Sequence, residues 1–308
     1  MKSVLCLARP LMVLALLLAA VHTASADTVY VSDMSESGVN LVASDGSITK
    51  IATQIIDSTG LAIGPNGNLY VAGFSSSGSI FEISPTGTVS TFATGFSWPL
   101  GIAFDSAGNL YVANSNFGGE ASASSISMIT PSGVISTFVT LGSDYPASIA
   151  FDSSGNLFFA NWSVADGNGN GTIYKVTPSG TVSTFATGLT DSFALTIDNS
   201  NNVYVGSGSI VEKITSQGIK SLYATLPTSG LMAMAFENNG NLLVGSEDTG
   251  DLYQITSDHF VSTYASGLDI PTFIADPSVA LPVPTPSSLA LVLAGCPLLI
   301  LTVRQLRL

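Results

Sequence analysis

Cysteine is confined to the two ends of this 308-residue chain, as Cys6 and Cys296. The long stretch between them therefore has no disulfide framework, no zinc–thiolate site and no thiol nucleophile. Arginine is missing between Arg9 and Arg304, and only Lys50, Lys175, Lys213 and Lys220 carry positive charge there. All 21 acids lie in that stretch against those 4 lysines, a net charge of −17. Nucleic acid and anionic membrane surfaces are disfavoured as partners; a cation or a neutral polymer fits better. Histidine occurs only as His22 and His259. A Ser-His-Asp triad has no candidate base beyond His259, which falls on a predicted turn tip. Charged residues make up 9% of the chain and glycine is abundant, a composition that suits short strands and tight turns better than helices.

Long apolar runs are confined to the two ends. Residues 1–26 read as a secretory signal peptide: Lys2 and Arg9 in the charged region, Leu11 to Val21 as the apolar core, Ala24-Ser25-Ala26 as the cleavage site. Export through the Sec pathway follows. Residues 278–288 form a Pro-rich linker, and residues 289–308 a short apolar segment, expected as a transmembrane helix, with a basic end at Arg304 and Arg307. The apolar run Leu289 to Val303 is shorter than the roughly 20 residues of a comfortable span.

What fills the middle is one recurring phrase. Gly101 to Val139 gives its fullest form, and it returns at a period of roughly 40 residues, the mark of a repeat architecture. Each copy has an apolar run, a Gly-Asn turn and a second run, anchored by Asn68, Asn109, Asn156, Asn202 and Asn241. A second pair of runs follows, hinged on Gly46, Gly87, Gly133, Gly180, Gly218 and, once, His259. Second halves number six and complete first halves five. The missing half is divided: Thr28–Asp33 matches a second strand and Thr272–Asp276 a first. A ring closed by pairing the two ends leaves no sheet edge exposed. The expected fold is all-β, a six-bladed β-propeller over residues 27–277. An open solenoid would need capping repeats in place of this division.

Two resemblances stand on these residues. The run Pro99 to Ala113, PLGIAFDSAGNLYVA, is similar to the NHL repeat and its relatives among gluconolactonase-like (SMP-30-type) propellers. That resemblance implies the propeller fold. It also implies a metal held by Glu and Asn, and an acidic base just before the first-strand glycine. The matching positions are Thr59, Leu100, Ala147, Phe193, Met232 and Pro271, none acidic, which weighs against lactone hydrolysis by that mechanism. The tail Val283-Pro284-Thr285-Pro286-Ser287-Ser288-Leu289 resembles the PEP-CTERM sorting signal, with Pro284 and Pro286 in the motif, the basic Arg304 and Arg307 at the end, and Thr285 where the family has Glu. It implies an exosortase-type sorting enzyme as partner, and a cell-surface or secreted location in a Gram-negative bacterium that makes exopolysaccharide.

Candidate site residues gather at one mouth of the central channel, where loops enter each first strand and leave each second strand. They are Asp33, Trp98, Asn114, Tyr145, Asn161, Asp191 and Asp269, with Gly73, Gly206 and Gly245 in the same phase. Carboxylates and carboxamides bind hard cations, and aromatic rings stack on sugars. Trp98 and Trp162 serve equally well as packing between blades. Asp166, Asn168 and Asn170, ahead of Gly171, match the first half of a Ca²⁺ loop. That loop lacks its bidentate Glu, since position twelve is Thr177. Asp105, Asp152, Asp198, Glu237 and Asp276 recur at a turn and read as turn formers. Two functions remain open. One is a non-enzymatic binding or scaffold module for extracellular polysaccharide or a surface protein. The other is a divalent-metal hydrolase of the gluconolactonase type.

Overall fold

The computed structural model describes residues 28–277 apart from 36, 117–123, 143 and 163–169. The readings of residues 1–26, 278–288 and 289–308, with Pro284, Pro286, Arg304 and Arg307, lie outside the described residues. So do Asp166 and Asn168 of the calcium-loop motif.

Among the described residues, 24 strands form six antiparallel four-stranded sheets. Each is a blade. Blade 2 runs outward through Ser58–Ile63, Leu69–Gly73, Gly78–Ile83 and Val89–Phe96. Blades 3 to 6 repeat this order, with innermost strands Pro99–Phe104, Pro146–Phe151, Leu195–Ile197 and Leu231–Phe236. Blade 1 is composite: Pro271–Ala275 is innermost, followed by Thr28–Asp33, Val39–Ala43 and Ile48–Ile51. Val31 pairs with Ile274 and Ser32 with Phe273. The divided repeat is thus rejoined as its sequence implies.

Blade contacts follow from the alternation of apolar side chains. Every second strand is nearly all buried because both of its faces meet neighbouring blades. An aromatic triad recurs in those interfaces. Tyr70 meets Phe92 and Phe104, Tyr111 meets Phe138 and Phe151, and Tyr204 meets Tyr223 and Phe236, all edge-on at 4.9–5.0 Å. Nearer the axis the innermost strands approach too closely for side chains. A Cβ on Gly60 would lie 2.2 Å from the Leu100 carbonyl oxygen, and one on Gly101 2.4 Å from that of Ala147.

The turn face is held locally. Asp105, Asp152 and Asp198 each accept the amide and side-chain NH₂ of the Asn four residues on. The outer hairpins place Gly87, Gly133, Gly180 and Gly218 at φ of 82–84°, where glycine is unstrained. His259 takes that position in blade 6 at φ 66°, and its Nδ1 lies 2.8 Å from the Tyr223 carbonyl oxygen of blade 5.

Candidate functional site

Six loops build the mouth, and one backbone hydrogen bond recurs through them. The residue after each second strand donates to the loop before the innermost strand of the same blade. The pairs are Met34 to Ile270, Phe74 to Asp57, Ser115 to Trp98, Trp162 to Tyr145, Gly208 to Thr190 and Glu247 to Gly230, at 2.9–3.2 Å. Met34, Phe74, Trp162 and Glu247 therefore stand on the rim. Asp57, Trp98 and Gly230 have left-handed backbones, with φ of 49, 49 and 63°.

The column that closes each second strand is Asp33, Gly73, Asn114, Asn161, Ser207 and Ser246. Blades 5 and 6 thus contribute Ser207 and Ser246 where the sequence phase points to Gly206 and Gly245. These polar side chains are buried, and all but Asn114 fasten the loops. Asp33 is 1% exposed; its carboxylate accepts the amides of Asp269 at 2.9 Å and Ile270 at 3.0 Å. Asn161 Oδ1 accepts the Tyr145 amide at 2.7 Å, and its Nδ2 donates to Asp144. Ser207 Oγ accepts the Thr190 amide, and Ser246 Oγ donates to the Ser229 carbonyl.

Asp191 and Asp269 are exposed, on the loops of blades 5 and 1. The Asp269 carboxylate accepts the Ser35 hydroxyl. Trp98 is half-buried and lies 4.8 Å from the Phe74 ring. The backbone of Asn170 pairs with Thr190. The structure adds acids that the repeat phase does not select. Asp144 also accepts the Tyr174 hydroxyl at 3.4 Å; burial pushes its carboxyl up, partly offset by that hydrogen bond. Glu247 is pushed up by burial and then by the charges of Asp248 and Asp191. Consecutive acids directly after a second strand, as at Glu247-Asp248, were the available signal. No lysine or arginine occurs on the described mouth loops.

The mouth end of the axis is filled with apolar side chains. Leu100, Ala147, Phe193, Met232 and Phe273, one from each of blades 3, 4, 5, 6 and 1, belong to one buried cluster, with Trp162 against it. Phe193 and Phe273 lie 5.9 Å apart although blade 6 stands between their blades. That contact crosses the axis. Trp162 packs edge-on against Phe193 at 5.6 Å. By strand register the Leu100 position is filled by Thr59 in blade 2 and by Thr272, in place of the expected Pro271, in blade 1; both are fully buried and donate their hydroxyls to the Pro99 and Ile270 carbonyls.

A metal of the kind that gluconolactonase-like propellers imply does not fit these residues. The axial column offers two hydroxyls, each already donated to a backbone carbonyl, and otherwise hydrocarbon side chains and the Met232 thioether. Asp33 and Asn161 have turned their oxygens onto backbone amides. Among the described residues no three His, Cys, Asp or Glu side chains gather closely enough to hold an ion. On the turn face, a groove of about 630 Å³ lies beside Tyr204, Tyr223, Phe236, Lys213 and His259. Its aromatic triad is the same one that joins the other blades, so its rings are accounted for as packing.

No protein-family model matches the chain, and no curated protein matches it. Solved structures do. A streptogramin B lyase is 17% identical with a TM-score of 0.59, over 80% of this chain and 83% of that one. Virginiamycin B lyase from Staphylococcus aureus is 18% identical at 0.58, over 82% and 90%. A gluconolactonase from Xanthomonas campestris is 16% identical at 0.60, over 71% and 79%. At these identities the likeness is one of fold, the β-propeller.

Proposed function

We propose that this chain is an exported propeller whose mouth face binds a neutral extracellular polymer, a polysaccharide or the surface of a protein, without turning it over. The observation that carries the reading is the Phe193–Phe273 contact across the axis. It replaces a polar reaction centre by a hydrophobic floor. Around that floor stand Phe74, Trp98 and Trp162, interleaved with Asp57, Asp191, Glu247 and Asp269. Half-exposed aromatic rings among hydrogen-bond acceptors suit neutral sugars, and the uncompensated carboxylates repel uronic-acid or sulfated polymers. In this reading the tail from Ser278 onward is the sorting segment, handled by an exosortase-type enzyme and held by the membrane before or instead of release.

A glycan array and a pull-down against surface proteins test it. Binding to neutral glycans over uronic-acid glycans supports the proposal, and a blank across neutral matrix polysaccharides and surface proteins would sink it. The shared fold with gluconolactonases and streptogramin lyases favours a second reading, a divalent-metal hydrolase at the same mouth. Turnover of lactones that appears with added Ca²⁺, Mn²⁺ or Zn²⁺ and disappears with chelator would establish that reading and overturn the first.

A further inference from the structure

Blades 1 and 4 share a detail of their mouth loops. The residue before the innermost strand's proline donates its amide to the side chain that ends the second strand. Ile270, before Pro271, donates to Asp33 Oδ1 at 3.0 Å; Tyr145, before Pro146, donates to Asn161 Oδ1 at 2.7 Å. Blade 3 has the same arrangement of residues, with Trp98 before Pro99 and Asn114 at the end of the second strand. There the bond is not made. The Trp98 amide turns outward to the Ser75 carbonyl of blade 2, at 2.8 Å.

Two features accompany that diverted amide. Trp98 sits at φ 49°, a left-handed backbone that the matching Asp57 (49°), Asp191 (45°) and Gly230 (63°) share, but that is strained for so bulky a residue. Asn114 is 5% exposed, and its Oδ1 has no hydrogen-bond partner, while its Nδ2 donates to Ser127 Oγ at 2.9 Å. Buried acceptors are seldom left so.

We propose that the Ser97–Trp98 peptide is a two-state element. Its rotation moves the Trp98 amide from the Ser75 carbonyl onto Asn114 Oδ1, the arrangement already present in blades 1 and 4. The Trp98 carbonyl is the pivot, because Ser115 holds it through both its amide at 3.2 Å and its hydroxyl at 2.8 Å. The other bond exchanged is a long one, from the Asn116 amide to the Ser97 carbonyl at 3.3 Å. Rotation relieves the φ of Trp98, satisfies Asn114 and swings the indole relative to Phe74, which opens or closes an aromatic clamp on the rim. The last consequence rests on the mouth as the binding face; the switch itself does not. A ligand that stacks better on one indole position shifts the balance.

The chain's two tryptophans make the test direct. In full-length protein labelled with 5-fluorotryptophan and free of ligand, the fluorine resonance of Trp98 is expected to show microsecond-to-millisecond exchange with a minor state of roughly 0.1–10%. Trp162, beside the satisfied Tyr145–Asn161 pair, stays sharp. Asn114→Asp supplies the acceptor that blade 1 uses and is expected to raise the minor state several-fold. Asn114→Ala removes the acceptor and is expected to abolish the exchange; if that variant does not fold, the response to Asn114→Asp decides alone. A single sharp Trp98 resonance that neither the wild type nor Asn114→Asp displaces overturns the proposal. Added cellohexaose separates the two ideas. Exchange without any response to the glycan supports the switch and removes the neutral-glycan reading of the mouth.

Discussion

Asp33 and Ile270, 237 residues apart, are joined by a hydrogen bond of 3.0 Å from the Ile270 amide to the Asp33 carboxylate. Its other oxygen takes the Asp269 amide. This buried clasp binds the last strand into the first blade. Asp33→Ala leaves two amides without their acceptor and is expected to cost about 2–4 kcal/mol, with Asp33→Asn, which keeps one acceptor oxygen, costing about half of that. Equilibrium urea unfolding measures both; an unchanged midpoint for Asp33→Ala would show that the clasp is not a source of stability.

Gly60 and Gly67 separate two reasons for glycine. Gly60 is hemmed by the backbone of Leu100, whereas Gly67 has open space around it and needs only its φ of 78°. Gly60→Ala should cost about 3 kcal/mol or more through overpacking at the axis. Gly67→Ala should cost about 1 kcal/mol through backbone strain alone. Thermal melts of the two variants check the order, and equal losses would contradict it.

Opposite pH dependences are expected from Asp198 and Glu247. Burial pushes the Asp198 carboxyl up, but hydrogen bonds from Asn202, Ser200 and Tyr204 outweigh it and hold the group below the usual range. Its contribution is therefore present above the unfolded aspartate pKa and lost as pH falls through the folded one. Asp198→Asn should cost about 1 kcal/mol at pH 7, a gap that closes in acid. Glu247 is raised, so folding is favoured below the ordinary glutamate pKa and that advantage is lost as pH rises through the raised value. Glu247→Gln should stabilise at pH 7, by no more than about 0.5 kcal/mol because the residue stays open to solvent and is only partly desolvated, and should do nothing at pH 3. Unfolding followed from pH 3 to 8 distinguishes the two signs.

Phe193→Ala would empty the floor of the mouth between Trp162 and Phe273. Loss of about 3–5 kcal/mol is expected for a buried Phe, together with a red shift in tryptophan emission as Trp162 loses its packing partner. Stability and emission both unchanged would mean that the floor is less tightly packed than its 5.6 and 5.9 Å ring separations indicate.

The ring and its closure were legible in the sequence because both follow from strand periodicity and turn chemistry. Gly87 and Gly133 mark their hairpins, and the orphan halves at Thr28–Asp33 and Thr272–Asp276 have only each other to pair with. The mouth was less legible for a definite reason. Pairing of the first two strands slips near the mouth in most blades, between Ser58 and Leu61, Pro99 and Ile102, Pro146 and Ile149, and Leu231 and Ala233. Counting outward from the turn face loses phase across these irregularities. Which oxygen of Asn161 or Asp33 faces a loop amide depends on a neighbouring loop that spacing does not record. His259 was visible as a turn residue, but its bond to the Tyr223 carbonyl requires the adjacent blade.

The strand Thr28–Asp33 runs toward the mouth and Pro271–Ala275 runs away from it. Thr28 and Ala275, the far ends of these two strands, therefore both lie at the turn face. A leash fastened there would hold the propeller like a dish on a mast, with its acidic, aromatic bowl turned outward and unobstructed by its own mooring.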